Sequence, residues 1–369
     1  MDSMTSIREI VQYLETVAPP ALQDPSDNSG LLCGNPAELV SSALVTIDVT
    51  EDVIDEAVKK NAALVVAHHP LIYKGLKRLT GSDYVERTII KAIKNNIAVF
   101  AGHTNFDHVG GGVNTMICRK LGLQQLKVLR PLPGQLKKLV TFIPDSAAGT
   151  VKEAVFRAGA GHIGNYDWCG YSLEGTGSFR GNENANPYVG EKGEVHEEKE
   201  IRFETIFPAW LQSKVVGALI SSHPYEEVAY DIYSLDNGFS NAGMGMAGDL
   251  PVPADEREFL LKLKEIFGSG IIRHSALLGK KVSKVAICGG VGSYLTRDAI
   301  SAGADFFVSA DFKYHQFFDA EGKIVLADIG HFESEQFTKE LFYELLVKKF
   351  PTFAVHFSEV NTNPVYYFK

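Results

Sequence analysis

The sequence predicts an α/β protein with a smaller α+β module inserted into it, and three observations carry that reading. Short apolar runs alternate with amphipathic stretches before residue 130 and again in the last third of the chain; the alternation breaks after PLPGQ (131–135); and 369 residues exceed one typical domain. We expect residues 1–134 and 251–369 to form the two parts of an α/β domain with a mixed, largely parallel sheet. Residues 135–250 would form a ferredoxin-like insert.

From the start of the chain, TSIREIVQYLETVAP (5–19) places Ile7, Ile10, Val11 and Leu14 at helical spacing. Strands are predicted in SSALVTIDVT, AALVVAHHP and NIAVFAGHTNFD, with the amphipathic stretches DVIDEAVKKN and DYVERTIIKAIKNN between them, the pattern of β-α-β units. In the insert, KLVTFIPDSAAGTVKEAVFRAGAG reads as strand, helix and turn, and YSLEGTGSFRG as a strand running into glycines. A low-hydrophobicity stretch follows from Glu183 to Glu204, with seven Glu against three Lys and Arg. RFETIFPAW, LQSKVVGALISSH and VAYDIYSLD then supply strand, helix and strand, which completes a ferredoxin-like order. GMGMAGDLPVPADERE (243–258) reads as a linker. Beyond it, KVAICGG, DFFVSA and KIVLADIG are buried-strand candidates, ESEQFTKELFYELLVKKF a single amphipathic helix, and TFAVHFS a terminal strand.

Composition narrows the function classes. An apolar fraction of 45% with 22% charged residues is that of an ordinary globular protein and excludes a disordered chain. A formal net charge of -9 argues against unassisted binding to nucleic-acid backbones, which rests on clustered Lys and Arg. Cys33, Cys118, Cys169 and Cys288 are far apart and form no C-x-x-C. The start of the sequence does not resemble a signal peptide, and no apolar stretch approaches the roughly 18 residues of a membrane span. These features lead us to expect a reducing, cytoplasmic setting without membrane contact.

Three predicted strand ends carry side chains of the kind that bind metals. ALVVA ends in His68 and His69, IAVFA leads to His103 and Asp107, and IVLADI leads to His331 and Glu335. Ligands of open α/β sheets bind at the carboxyl ends of strands, so these groups are expected to converge. His331 and Glu335, at i and i+4, would share one helix face. Adjacent His68 and His69 serve one site only if the chain is turning before Pro70, or if two ions lie side by side. We expect two divalent ions (Zn, Fe, Mn or Ni), with Glu335 bridging, His69 and Asp107 completing one ion and His68 and His331 the other. His103 and His315 are candidate proton-transfer residues, with simple hydrogen bonding as the alternative for each. The GGVGS loop (289–293) reads either as a phosphate cradle or as a tight turn. Lys74, Lys77 and Arg78 either steer an anion or form a wet surface.

AHHPLIYKGLKRL, AGHTNFDHVGGGVN, CGGVGS, SADFKYHQFFDAEG and DIGHFESE resemble, in order and spacing, the motifs of the Ngg1-interacting-factor-like (NIF3-like) family. Its members are often labelled GTP cyclohydrolase 1 type 2 homologues. The central segment, with GHIGNYDWCGYSLEGTGSFR and SSHPYEEVAYDIY, is similar to the PII/CutA-like insert of the longer bacterial members. The resemblance implies a dinuclear metal centre on His68, His69, Asp107, His331 and Glu335, and a ring-shaped homohexamer. It departs from the family at Ser26-Asp27-Asn28, where many relatives carry Trp-Asp-Asn; Asp27 and Asn28 either line the pocket or form a turn.

The function expected from these residues is metal-dependent hydrolysis of a nucleotide, heterocycle or other small anion, by water acidified between two ions. The alternative is a regulatory or metal-handling oligomer whose insert senses a small molecule. A nucleic-acid role is disfavoured by the charge.

Overall fold

The computed structural model describes residues 4–368. The chain forms two compact units, residues 1–130 with 242–369, and residues 131–241.

The first unit is mixed α/β. The helix Ile7–Val17 starts where the sequence provides a reciprocal cap: the Ser6 hydroxyl accepts from the Glu9 amide and the Glu9 carboxylate accepts from the Ser6 amide. Its apolar stripe, Ile7, Ile10 and Leu14, is wholly buried. A five-stranded sheet follows in the order Ala354–Phe357, Ser42–Thr46, Leu64–Ala67, Ala98–Ala101 and Gly30–Cys33, parallel except for the last. Its central strands are buried throughout, as continuous apolar runs covered by helices should be.

A second sheet takes the order Arg273–His274, Val325–Asp328, Phe306–Ala310, Val282–Val291, Phe239–Ala254 and Gln124–Leu132. Its three buried strands pair in parallel, and antiparallel strands flank them. The unit therefore holds two mixed sheets where the sequence led us to expect one. Both contribute to one core, Val45, Val66 and Phe100 from the first and Val285, Phe306 and Val325 from the second, with the helix Val113–Leu121 between them.

Two sequence expectations are corrected here. The linker expected at 243–258 is the strand Phe239–Ala254 and the start of the helix Glu256–Phe267. Gly248 is needed for packing, since a Cβ there would fall 2.7 Å from the Leu126 side chain, while Gly245 takes a left-handed φ of +64°. The single C-terminal helix is broken at Gln336–Phe337 into His331–Glu335 and Thr338–Lys349.

Residues 131–241 form a four-stranded antiparallel sheet in the order Tyr230–Ser234, Leu136–Pro144, His196–Pro208 and Gly170–Phe179. The helices Ala148–Arg157 and Gln212–Ser222 place Val151, Val155, Val215 and Leu219 against Leu139, Ile143, Ile201, Phe203 and Phe207. The strand expected in RFETIFPAW starts earlier, at His196, and takes in the second half of the glutamate-rich stretch as part of His196–Pro208. No helix among the described residues is long and apolar enough to cross a membrane.

Candidate metal centre

The strand Leu64–Ala67 ends at the histidine pair. The amides of His68 and His69 both bond to the Ile47 carbonyl, at 3.1 and 2.9 Å. Consecutive amides on one acceptor end the alternation of the strand, so neighbouring side chains no longer point to opposite faces. The two rings consequently lie together, with centroids 4.8 Å apart. His68 is fully buried with Nδ1 2.9 Å from the Gly102 carbonyl, and His69 places Nδ1 2.7 Å from the Asp48 carboxylate.

Asp107 sits on the short helix Thr104–His108 after the strand Ala98–Ala101. His331 and Glu335 begin and end one helical turn after the strand Val325–Asp328 of the other sheet. The three strand ends meet. Glu335 Oε2 lies 3.0 Å from His69 Nε2, 3.2 Å from His331 Nε2 and 3.6 Å from His68 Nε2, and His68 Nε2 lies 3.7 Å from Asp107 Oδ1.

Three groups of side chains could hold a cation: His68, Asp107 and Glu335; His69, His331 and Glu335; and His68, His69 and His103. Within each, the ligand atoms lie no more than 4.8 Å apart. Glu335 is common to the first two, the place expected for a bridge. The histidines are distributed differently from the sequence expectation: His68 stands with Asp107 and His69 with His331. The reason is orientation, since the Gly102 carbonyl turns His68 toward Asp107 while Asp48 turns His69 toward the second sheet.

His68 Nε2, Asp107 Oδ1 and Glu335 Oε2 are all buried and none makes a well-formed hydrogen bond, Glu335 Oε2 having only the ring nitrogens of the site beside it. One such atom is costly to bury, and three facing a common point fit a bound cation, whose charge would satisfy them together. The electrostatics agree. Burial alone would lower the pKa of His69, yet Asp48 and Glu335 reverse this and raise it to about 10. His331 is raised against burial to about 11 by Asp311 and Glu335. Burial pushes Asp107 up to about 7, with His68 opposing and Glu335 adding to the rise. Glu335 itself is held well below the usual carboxylate range, because the neighbouring histidines outweigh its burial. Protons on His69 and His331 thus supply positive charge that a metal would replace.

Each ligand-type histidine is aimed by a carboxylate or carbonyl, and the sequence reading missed two of these partners. Asp48 also accepts from the Thr362 hydroxyl at 2.7 Å, and Asp311 lies 2.6 Å from His331 Nδ1. Both follow the ends of strands, Ser42–Thr46 and Phe306–Ala310, so the rule that located the ligands could have found them too. Asp27, left open between pocket and turn, has a carboxylate only 1% exposed that accepts from His103 Nδ1 at 2.8 Å and from the Thr104 amide at 3.1 Å. It fixes His103, whose ring centroid is 5.3 Å from that of His68 and 5.4 Å from that of His69.

Other candidates fall elsewhere. His315 lies exposed in the segment Tyr314–Ala320 with its ring against Tyr314 and Phe318, and is in none of the three groups. In GGVGS, the Gly289 amide bonds to Asn114 and the Gly290 amide to Ser334, both at 2.9 Å, so these donors do not face a phosphate. Gly290 is instead a packing requirement: its φ is +59°, and a Cβ there would fall 2.3 Å from Glu335 Oε1. Lys74, Lys77 and Arg78 are exposed. Beside the centre lies a cavity of about 450 Å³ lined by His69, His331, Asp311, Arg273, Phe332 and Tyr367, among others.

A family model described as Duf34/NIF3 (NGG1p interacting factor 3) matches residues 5–364. A protein named GTP cyclohydrolase 1 type 2 homolog from Halalkalibacterium halodurans is 39% identical, covering 96% of this chain and 97% of its own length. The protein of that name from Bacillus subtilis is 38% identical over 97% of each chain. Among solved structures, a Bacillus cereus protein related to NIF3 superposes with a TM-score of 0.85 at 37% identity, covering 99% of this chain and 100% of that one.

Proposed function

This chain belongs to the Duf34/NIF3 family, and from that premise we propose that it is a dinuclear metal-dependent hydrolase acting on a nucleotide, heterocycle or other small anion. The observation that carries the reading is the set of three buried ligand atoms without a well-formed hydrogen bond, on His68, Asp107 and Glu335, with His69 and His331 completing a second group around the same carboxylate. Two divalent ions held there would polarise an oxygen under attack and make water a nucleophile near neutral pH.

The chain's own residues have separate tasks. Asp48, Asp311 and the Gly102 carbonyl hold the histidine rings in one orientation, so the ligands need little rearrangement to bind. His103, with Nδ1 on Asp27, keeps Nε2 free to take or return a proton. The cavity of about 450 Å³ beside His69 and His331 is large enough for a heterocycle, with Tyr367 and Phe332 as apolar surfaces. Arg273 gives it a positive group, steadied by Asp328 and by the Phe312 carbonyl at 3.0 Å. The name shared by the relatives, GTP cyclohydrolase 1 type 2 homolog, supports a nucleotide among the substrates to be tried.

Residues 131–241 are read as a ferredoxin-like α+β domain inserted into the α/β domain, on the strength of the strand order and the two helices on one face. The ring-shaped homohexamer implied by the family resemblance is part of the same reading, and sizing by light scattering tests it. The hydrolase itself is tested with a panel of nucleotides and heterocycles offered to protein loaded separately with Mn, Fe, Zn and Ni. Turnover in one metal form that disappears in Glu335→Gln supports the proposal. Tight metal binding with no turnover in any form overturns the hydrolase and leaves a metal-handling protein.

A further inference from the structure

A cavity lined by residues of 131–241 includes no member of the candidate metal-binding groups and contains a partly satisfied carboxylate. Along the strand His196–Pro208, Ile201 and Phe203 face the helices, so Glu200 and Arg202 project from the opposite face of the sheet. There they meet a cavity of about 780 Å³, roofed by residues 180–188 and 225–229. Glu200 is only 9% exposed. Its Oε1 accepts the Tyr225 hydroxyl at 2.9 Å, whereas its Oε2 has no hydrogen-bond donor among the described residues. That oxygen lies over Gly177, where a Cβ would come within 2.1 Å of it, so the glycine leaves room for the carboxylate at the cavity floor.

The rest of the lining sets the ligand chemistry. Phe142, Tyr188 and Tyr225 present aromatic surface. Three carboxylates, Glu200, Glu226 and Glu227, stand against two guanidiniums, Arg180 and Arg202. Arg202 is already engaged with Glu204 at 3.0 Å and with the face of Phe142. Anions are therefore disfavoured, and the half-satisfied carboxylate of Glu200 calls for N–H donors. Volume and lining match those of small-molecule sites, which are largely apolar with a few placed polar groups.

We propose that this cavity binds a small planar aromatic molecule with an amidine-type N–C–N donor edge, seated on the Glu200 carboxylate between the rings of Tyr188, Tyr225 and Phe142. A carboxylate oxygen has two lone pairs, so Oε1 accepts from the ligand as well as from Tyr225, while Oε2 takes the second donor.

The test is calorimetric titration of the full chain with 2-aminobenzimidazole, and with benzoate as the anionic counterpart. We expect saturable binding of the first and none of the second. Glu200→Gln should weaken binding by about tenfold or more, the effect of losing a charge-assisted acceptor. Tyr188→Ala removes one wall at a residue that is 56% exposed, leaves the Glu200–Tyr225 pair intact, and should weaken binding by about three- to tenfold. Metal content should be unchanged in both variants, which keeps this result separate from the fate of the hydrolase reading. Absence of saturable binding, equal affinity for benzoate, or unchanged affinity in folded Glu200→Gln or in Tyr188→Ala overturns the proposal.

Discussion

Glu335→Gln is the sharpest probe of the centre, because it removes charge and one metal-binding oxygen while keeping the shape of the side chain. Glu335 Oε2 stands 3.0–3.6 Å from three imidazole nitrogens and belongs to two of the three candidate groups, so its loss should affect both ions. Altering a residue that merely orients a ligand costs about 10–100-fold in metal affinity, which makes about 100-fold a lower bound for losing the shared ligand itself. That bound corresponds to about 2.7 kcal/mol per ion. Asp107→Asn supplies the contrast: Asp107 belongs to one group only, so one ion should remain. Competition with a chromophoric chelator gives the affinities, and elemental analysis after gel filtration gives the number of ions per chain. The expected pattern is near two ions for the unaltered chain, near none for Glu335→Gln and near one for Asp107→Asn. Two ions retained in Glu335→Gln, with affinities within a few-fold of the unaltered chain, would refute a shared carboxylate.

Asp48→Asn should keep both ions but weaken the one at His69 by about 10–100-fold, since only the orientation and basicity of His69 change; the same chelator competition measures it. In the metal-free protein, His69 and His331 have pKa values raised from 6.5 to about 10 and 11, so their stabilising contribution is complete below pH 6.5 and is lost as pH rises through those values. Calorimetric melting of chelator-stripped protein should therefore fall between pH 7 and 11 by more than that of a His69→Ala, His331→Ala double variant. Metal loading should release protons at neutral pH, detectable as a buffer-dependent binding enthalpy. Gly290→Ala should destabilise the fold by about 1–2 kcal/mol through its left-handed backbone alone, and should also reduce bound metal by displacing the Glu335 carboxylate.

How much of this was legible in the sequence depends on whether a feature is written in a local pattern. The strands Ser42–Thr46, Leu64–Ala67 and Ala98–Ala101 were readable because strands buried on both faces are continuous apolar runs. The strand Phe239–Ala254 was not, because Gly245, Gly248, Pro251 and Pro253 carry the composition of a turn. Its glycines answer to the neighbouring Leu129 and Leu126 side chains, and the pairing with Val282–Val291 is irregular between Asp249 and Ala254, where the prolines fall. The break at Gln336–Phe337 was equally hidden, since no Gly or Pro marks it. Nor could the sequence announce two sheets. That depends on the helix Val113–Leu121 entering a core fed from both sides, a tertiary fact with no counterpart in strand spacing.

The five clustered side chains show where the limit lies. Their residue types and their positions just after strands were enough to draw them together, because strand ends collect at one edge of a sheet whatever the details of the turns. Which histidine joins which carboxylate is a finer matter. It is decided by a backbone event at Ile47, whose carbonyl takes two successive amides, and by two acceptors, the Gly102 carbonyl and Asp48, that turn adjacent rings in different directions. Asp48 was visible as a residue but not as an acceptor, since an aspartate after a strand is more often a turn residue. A test that distinguishes the two assignments follows directly: if His68 shares an ion with Asp107, His68→Ala and Asp107→Asn should remove the same ion, leaving the one at His69 and His331. Under the pairing expected from sequence, the two substitutions should remove different ions, and their effects on metal stoichiometry should add.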